Sequence, residues 1–208
     1  MNWAVDEAGT PRPFTAVACD DGEVRKLGGG LTAVACVSYV ELRPRGASLG
    51  LIHVDGLDAT SVLSHLVSSI SAPPGVIFLD SITIGGFNVV SLAGLSRLTG
   101  MPVVVVYTYE PSLGRLKEPL VKHFHDWELR LRALRPIESA RRVVTRRGEL
   151  HLVNWGVDAD EAARLVESYQ LFTRVPEPLR VAHRLASEAS HVLGRAEVSQ
   201  RGPSPSGS

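Results

Sequence analysis

The sequence has no apolar run approaching the roughly 18 uninterrupted residues that a membrane helix needs. Its opening residues, MNWAVDEAGTPRPF, carry neither a basic start nor an apolar signal core. A soluble, cytoplasmic protein without a membrane partner is expected. Cysteine is scarce: Cys19 and Cys36 each close an AVAC tetrapeptide inside an apolar run, and neither has a second cysteine or a histidine at ligand spacing. That excludes a zinc pattern. Both cysteines read as small buried side chains of a reducing compartment, with no chemistry of their own. Lysine occurs only at positions 26, 117 and 122, and asparagine, glutamine and methionine are also rare, a composition that fits a heat-adapted source. An excess charge of either sign is missing too, since 22 acids balance 22 bases. This excludes a surface coated in positive potential, but the balance is uneven along the chain. Residues 1–114 hold ten acids and six bases, 115–147 four acids and ten bases, and 148–208 eight acids and six bases.

What is present is an α/β pattern, long enough at 208 residues for one sizeable core. Three strand-like runs, Phe14–Cys19, Leu31–Tyr39 and Ser48–Val54, are separated by turn-rich stretches and read as an antiparallel meander. Ala59–Ile70 spaces its apolar residues at helical intervals, and Pro73-Pro74-Gly75 stops it before the strand Val76–Leu79. The alternation repeats with a helix over Val89–Leu98 and a strand over Val103–Tyr107, whose β-branched run predicts cover on both faces. A meander followed by two helix–strand units is the order of an RNase H-like mixed sheet, with the fourth and fifth strands parallel beside the first. Beyond it, the pattern predicts a helix over Leu116–Leu134, a hairpin around Arg147-Gly148, a helix capped by Asp158 and another after Pro176-Glu177-Pro178. One domain over residues 1–198 and a disordered tail, Ser199–Ser208, are expected.

This order sends several carboxylates to one sheet edge. Asp20 ends the first strand and Asp80 the fourth; Asp55 ends the third, and Asp58 opens the following helix. The carboxyl edge of such a sheet is where ligands bind. Convergent carboxylates repel unless a cation neutralises them, and hard oxygen ligands favour Mg²⁺ or Mn²⁺. Two such ions about 3.5–4 Å apart serve phosphodiester hydrolysis. Each acid also has a plain structural use: Asp20-Asp21-Gly22 and Asp55-Gly56 are ordinary turn sequences, and Asp55 or Asp58 can cap a helix. Asp80 follows four apolar residues, where burial without a partner or metal is costly.

The blocks CDDG (19–22), VDGLDAT (54–60), LDSITIGGFNVV (79–90) and VPEPLRVAH (175–183) resemble the archaeal family known as domain of unknown function ninety-nine, which is grouped with endonuclease V. The resemblance spans about Phe14 to Leu193 and implies an RNase H-like fold. Endonuclease V cleaves DNA or RNA near deaminated bases with Mg²⁺, and its three carboxylate roles would fall on Asp20, on Asp55 or Asp58, and on Asp80. The chain departs from that pattern in having Asp80-Ser81-Ile82-Thr83 where endonuclease V has Asp-Gly-x-Gly, and aspartates where its middle ligand is glutamate. No aromatic wedge comparable to that of endonuclease V is evident.

Nucleic-acid contacts are expected from Gly85 and Gly86, which let backbone approach a nucleotide, from Phe87 by stacking and from Asn88 by hydrogen bonding. The same four residues also suit a tight turn with a core Phe87 and a capping Asn88. The basic segment offers Arg115, Lys117, Lys122, Arg130, Arg132, Arg135, Arg141, Arg142, Arg146 and Arg147 for phosphate contacts. In it, His123, His125 and Asp126 form a polar knot from which His125 could assist a leaving group or Asp126 join the metal. Pro176–His183 reads mainly as the packed start of the last helix. Two functions follow: a metal-dependent nuclease acting on DNA or RNA, or a non-catalytic nucleic-acid or nucleotide-binding module on the same fold.

Overall fold

The computed structural model describes residues 15–24, 29–70 and 75–200. The meander is present as β1 (Thr15–Asp21), β2 (Leu31–Val40) and β3 (Arg43–His53), followed by α1 (Ala59–Ser69) and β4 (Val76–Leu79). A two-residue ribbon, β5 (Thr83–Ile84) and β6 (Asn88–Val89), leads into α2 (Leu92–Thr99) and β7 (Val103–Tyr107). Next come α3 (Leu113–His123), α4 (Trp127–Leu134), a 3-10 turn (Arg135–Ser139), the hairpin β8 (Arg141–Thr145) and β9 (Gly148–Trp155), α5 (Ala159–Ser168) and α6 (Glu177–Gln200). Asp158 caps α5 as expected, its carboxylate accepting the Glu161 N–H at 2.8 Å. Helix α6 runs two residues into the segment expected to form a tail; residues 201–208 lie outside the described ones.

The seven-stranded sheet has the order β3-β2-β1-β4-β7-β9-β8. β4 pairs parallel with β1 and β7 parallel with β4, while the C-terminal hairpin adds two antiparallel strands beyond β7. All five residues of β7 are buried because alternate side chains enter different cores. Val103, Val105 and Tyr107 join the cluster under α1 and α2, and Val104 and Val106 the cluster under α5 and α6. Each such valine contributes about 1.5–3 kcal/mol on leaving water. Among the described residues, no helix is long and apolar enough to cross a membrane.

Three expectations change. The helix expected over Val89–Leu98 begins only at Leu92, because Val89 pairs with Thr83 in the β5–β6 ribbon and Ser91 caps the helix. The single helix over Leu116–Leu134 is two helices, because Phe124 takes extended dihedrals (φ −127°, ψ 126°) and turns its ring against Phe87. The cysteines are not free: Cys19 and Cys36 are disulfide-bonded. They stand directly opposite each other in the β1–β2 register with Cα atoms 4.1 Å apart, a pairing that the two separate AVAC runs do not reveal.

Candidate metal and catalytic site

The parallel register of β1 and β4 aligns Cys19 with Leu79, so the next residue on each strand, Asp20 and Asp80, meets at the carboxyl edge. Asp21 joins them, and one carboxylate oxygen from each of the three lies within 4.8 Å of the others. Asp20 is almost wholly buried, at 3% exposure. Its Oδ1 accepts the Asp21 N–H at 2.8 Å and its Oδ2 lies 3.0 Å from Nδ1 of His183, on α6. Asp21 Oδ2 accepts the Gly85 N–H at 2.7 Å. Gly85 adopts a left-handed φ of 61°, and a Cβ there would lie 2.9 Å from Ile52 Cδ1, so glycine is what lets this amide reach the carboxylate.

Burial, reinforced by repulsion from Asp80 and Asp21, drives the Asp20 carboxyl far above the usual carboxylate range. Burial, with the Asp21 charge, raises Asp80 to about 6. Burial also raises Asp21 despite the amide it accepts. Burial and crowding of like charges therefore favour the protonated forms of these acids when no cation is bound. Oδ1 of Asp80 is buried and has no hydrogen-bond partner. An orphaned buried carboxylate oxygen beside two further acids is the donor set that a hard divalent cation completes, so these residues fit Mg²⁺ or Mn²⁺.

Asp20 and Asp80 line a cleft of about 350 Å³ with Ser81, Thr108, Tyr109, Val175 and four side chains of α6: Leu179, Arg180, His183 and Arg184. The polar three, Arg180, His183 and Arg184, fall at i, i+3 and i+4, one face of the helix. Below the cleft, the Ile82 N–H donates to the Tyr107 hydroxyl at 3.2 Å, fixing the loop after Asp80. Burial pushes that phenol up to about 12, keeping it protonated.

Asp55 and Asp58, the expected sources of the third carboxylate, lie outside this cluster because other partners hold them. Asp58 Oδ2 lies 2.7 Å from His53 Nδ1, and its Oδ1 accepts from Asn88 Nδ2 at 2.6 Å. Burial raises the Asp58 carboxyl, but the His53 and Asn88 hydrogen bonds outweigh it and leave the group below its ordinary range. Asp55 sits at φ 58°, and its Oδ1 accepts the Phe87 N–H at 2.8 Å.

The glycine loop is also committed internally. Asn88 is fully buried, its Nδ2 donating to Asp58 and to the His53 carbonyl and its Oδ1 capping α1 through the Ala59 N–H at 3.0 Å. The expectation that Asn88 meets a base is corrected accordingly. Gly85 is buried against Ile52, a Cβ on Gly86 would fall 2.3 Å from Asp55 Oδ1, and Phe87 packs edge-on against Phe124 at 5.4 Å. Arg130 is corrected from phosphate contact to clamp. It is buried, donates to the Gly56 and Phe87 carbonyls at 2.9 and 2.7 Å and to Asp126 at 2.9 Å, and stacks 4.5 Å over Phe124. Asp126 is thereby paired, while Lys122 and His125 are exposed on the surface.

Two site residues escaped the sequence reading. Asp21 looked like a turn former, and His183 like the packed start of a helix. The signal for His183 was present in the block VPEPLRVAH, with arginines one helical turn before it and directly after it.

Residues 12–190 match the family described as endonuclease dU. The chain belongs to the endonuclease dU family. A UPF0215 protein of Aeropyrum pernix is 50% identical over 184 residues, covering 86% of this chain and 100% of that protein. Another, from Methanothermobacter thermautotrophicus, is 40% identical over 140 residues, covering 65% and 67%. A solved structure of a protein of unknown function from Archaeoglobus fulgidus superposes on this endonuclease dU family member with a TM-score of 0.75 at 27% identity, over 86% of this chain and 99% of that one. Endonuclease V of Ciona intestinalis, solved with DNA containing an inosine followed by a ribo-adenosine, gives a TM-score of 0.57 at 11% identity, over 88% and 87%. Human endonuclease V gives 0.56 at 18% identity, over 94% and 91%. The likeness to endonuclease V is one of fold, and together with the family it supports a nuclease-like function.

Proposed function

We propose that this endonuclease dU family member is a divalent-metal-dependent endonuclease that hydrolyses a phosphodiester bond of DNA beside a deaminated base, with deoxyuridine the first candidate. The observation that carries the reading is the buried, unpaired Asp80 Oδ1 inside a three-carboxylate cluster that opens on a cleft. The family's description names the lesion, and the inosine-containing DNA bound to Ciona endonuclease V supports nucleic acid as the partner.

Mg²⁺ or Mn²⁺ held by Asp20, Asp21 and Asp80 would polarise the scissile phosphate and acidify a bound water. In hydrolysis the water oxygen bonds to phosphorus, the bond from phosphorus to one sugar oxygen breaks, and that oxygen takes a proton. His183 is our candidate for delivering the proton, because its Nδ1 is anchored 3.0 Å from Asp20 Oδ2 at the cleft wall. Arg180, oriented by Glu177 at 2.6 Å, and Arg184 are the cleft's cations for the substrate phosphates.

The test is cleavage of labelled single- and double-stranded DNA and RNA, with deoxyuridine, inosine or no lesion, in Mg²⁺ or Mn²⁺, by the wild type and Asp80→Ala. Lesion-dependent cutting of DNA that the variant loses supports the proposal. Full activity in the variant removes the carboxylate assignment. Salt-sensitive binding without cutting under every condition identifies the non-catalytic binding module instead.

A further inference from the structure

Outside the cleft, Phe172 is the most exposed of the large apolar side chains among the described residues, at 74%. It lies in the connection between α5 and α6, two residues before Arg174. Arg174 is fixed against the tip of the β8–β9 hairpin. A Cβ on Gly148 would sit 3.7 Å from its Cβ and Cδ, and its Nη1 donates to the Glu149 carbonyl at 3.3 Å. At the same tip Arg147 is exposed and makes no ion pair among the described residues. Val175, the residue after Arg174, is part of the cleft wall.

The sheet register fixes where this corner points. Tyr107, at the carboxyl end of β7, pairs with His151, whereas β9 begins at Gly148. The hairpin tip therefore projects about 10 Å past the sheet edge on the side where β1 and β4 deliver their carboxylates. An exposed aromatic two residues from an arginine that packs on a hairpin tip carrying a second, exposed arginine, in the connection that continues into the cleft wall at Val175, has the make-up of a stacking platform for unpaired nucleotides: a π-face for the base and cations for the backbone.

Building on the nuclease reading, we infer that Phe172, Arg147 and Arg174 form a subsite for the unpaired nucleotides that flank the scissile bond on the substrate strand. A base stacks on Phe172, and the adjoining phosphates are held by the two arginines.

The experiment compares two single-stranded deoxyuridine oligonucleotides, a short one that fills only the cleft and one extended by several nucleotides on both sides. Wild type, Phe172→Ala, Phe172→Trp and Arg147→Ala are assayed for cleavage and, separately, for binding by fluorescence anisotropy over a salt series. Phe172→Ala should raise KM for the extended oligonucleotide roughly tenfold with little change in kcat, erasing its advantage over the short one, and Phe172→Trp should restore it. Arg147→Ala should reduce the slope of log affinity against log salt by about 0.7 for the extended oligonucleotide. Unchanged melting temperatures exclude a folding effect. If the wild type prefers the extended oligonucleotide and Phe172→Ala keeps that preference, this inference falls while the nuclease reading stands. If the wild type binds both without cutting either, the nuclease reading falls and the binding series still decides the subsite. Absence of any binding overturns both.

Discussion

His183 Nδ1 lies 3.0 Å from Asp20 Oδ2, joining the last helix to the end of the first strand across 163 residues of sequence. The imidazole is 60% exposed, so the contact stabilises the fold little, whereas the carboxylate it touches is 5% exposed and sits at the centre of the acidic cluster. A side chain placed in this way fits the proposed role in proton delivery better than a role in the core.

His183→Ala should therefore lower kcat about 100-fold, within the range for loss of a general acid. KM and melting temperature should hardly move. Single-turnover cleavage with a thermal melt of the same samples checks this, and a loss of activity that simply follows a loss of fold would refute the assigned role.

The raised carboxyls predict a pH dependence of stability in protein freed of divalent cations. Asp20 and Asp80 bind protons more tightly folded than unfolded. Their contribution is complete below the ordinary value of 3.8 and is lost as pH rises through the folded values, about 6 for Asp80 and higher for Asp20. Asp80→Asn should then melt higher than the wild type near neutral pH without divalent cations, and the difference should vanish on acidification. Mg²⁺ or Mn²⁺ should raise the wild-type melting temperature and leave the variant unmoved. Equal cation responses would contradict the proposed ligand set.

Arg130 should be one of the most destabilising surface-segment positions to truncate. Arg130→Ala leaves the Gly56 and Phe87 carbonyls without their charged donor and unpairs Asp126. A loss of about 3 kcal/mol is expected, read from urea unfolding. Arg132→Ala, an exposed neighbour on α4, should change stability by less than about 0.5 kcal/mol.

The Cys19–Cys36 bond, with a sequence separation of 17, should contribute about 3 kcal/mol by restricting the unfolded chain. Thiol titration in denaturant should find no free cysteine before reduction and two after it, with reduction lowering the unfolding midpoint. Two reactive thiols in unreduced protein would show the bond absent.

How far the sequence reveals this molecule follows from the range of each interaction. Period and turn chemistry are local, so the meander, the all-apolar β7 and the Asp158 cap are legible from a few residues each. The convergence of Asp20 and Asp80 follows from strand ends and parallel order. Asp21 is hidden because neighbours on a strand face opposite sides, and only the Gly85 amide shows how its carboxylate is held on the far side. That Asp55 and Asp58 stand apart from the cluster is not legible, because their partners, Phe87, His53 and Asn88, come together only once the two loops fold onto each other. His183 and the disulfide depend on register and long-range packing, which no window of sequence contains.

Helix α6 also sets the order in which a growing chain can acquire function. A Cβ on Gly22 would meet Ser190 Oγ at 2.0 Å and the Ala186 carbonyl oxygen at 2.4 Å, so α6 lies directly on the chain that leaves the carboxylates. On the ribosome, β1 and β4 emerge long before this helix does. A nascent chain can therefore gather its acids while still lacking the histidine and the cleft wall, and the complete constellation forms only after residues 177–190 have emerged and docked.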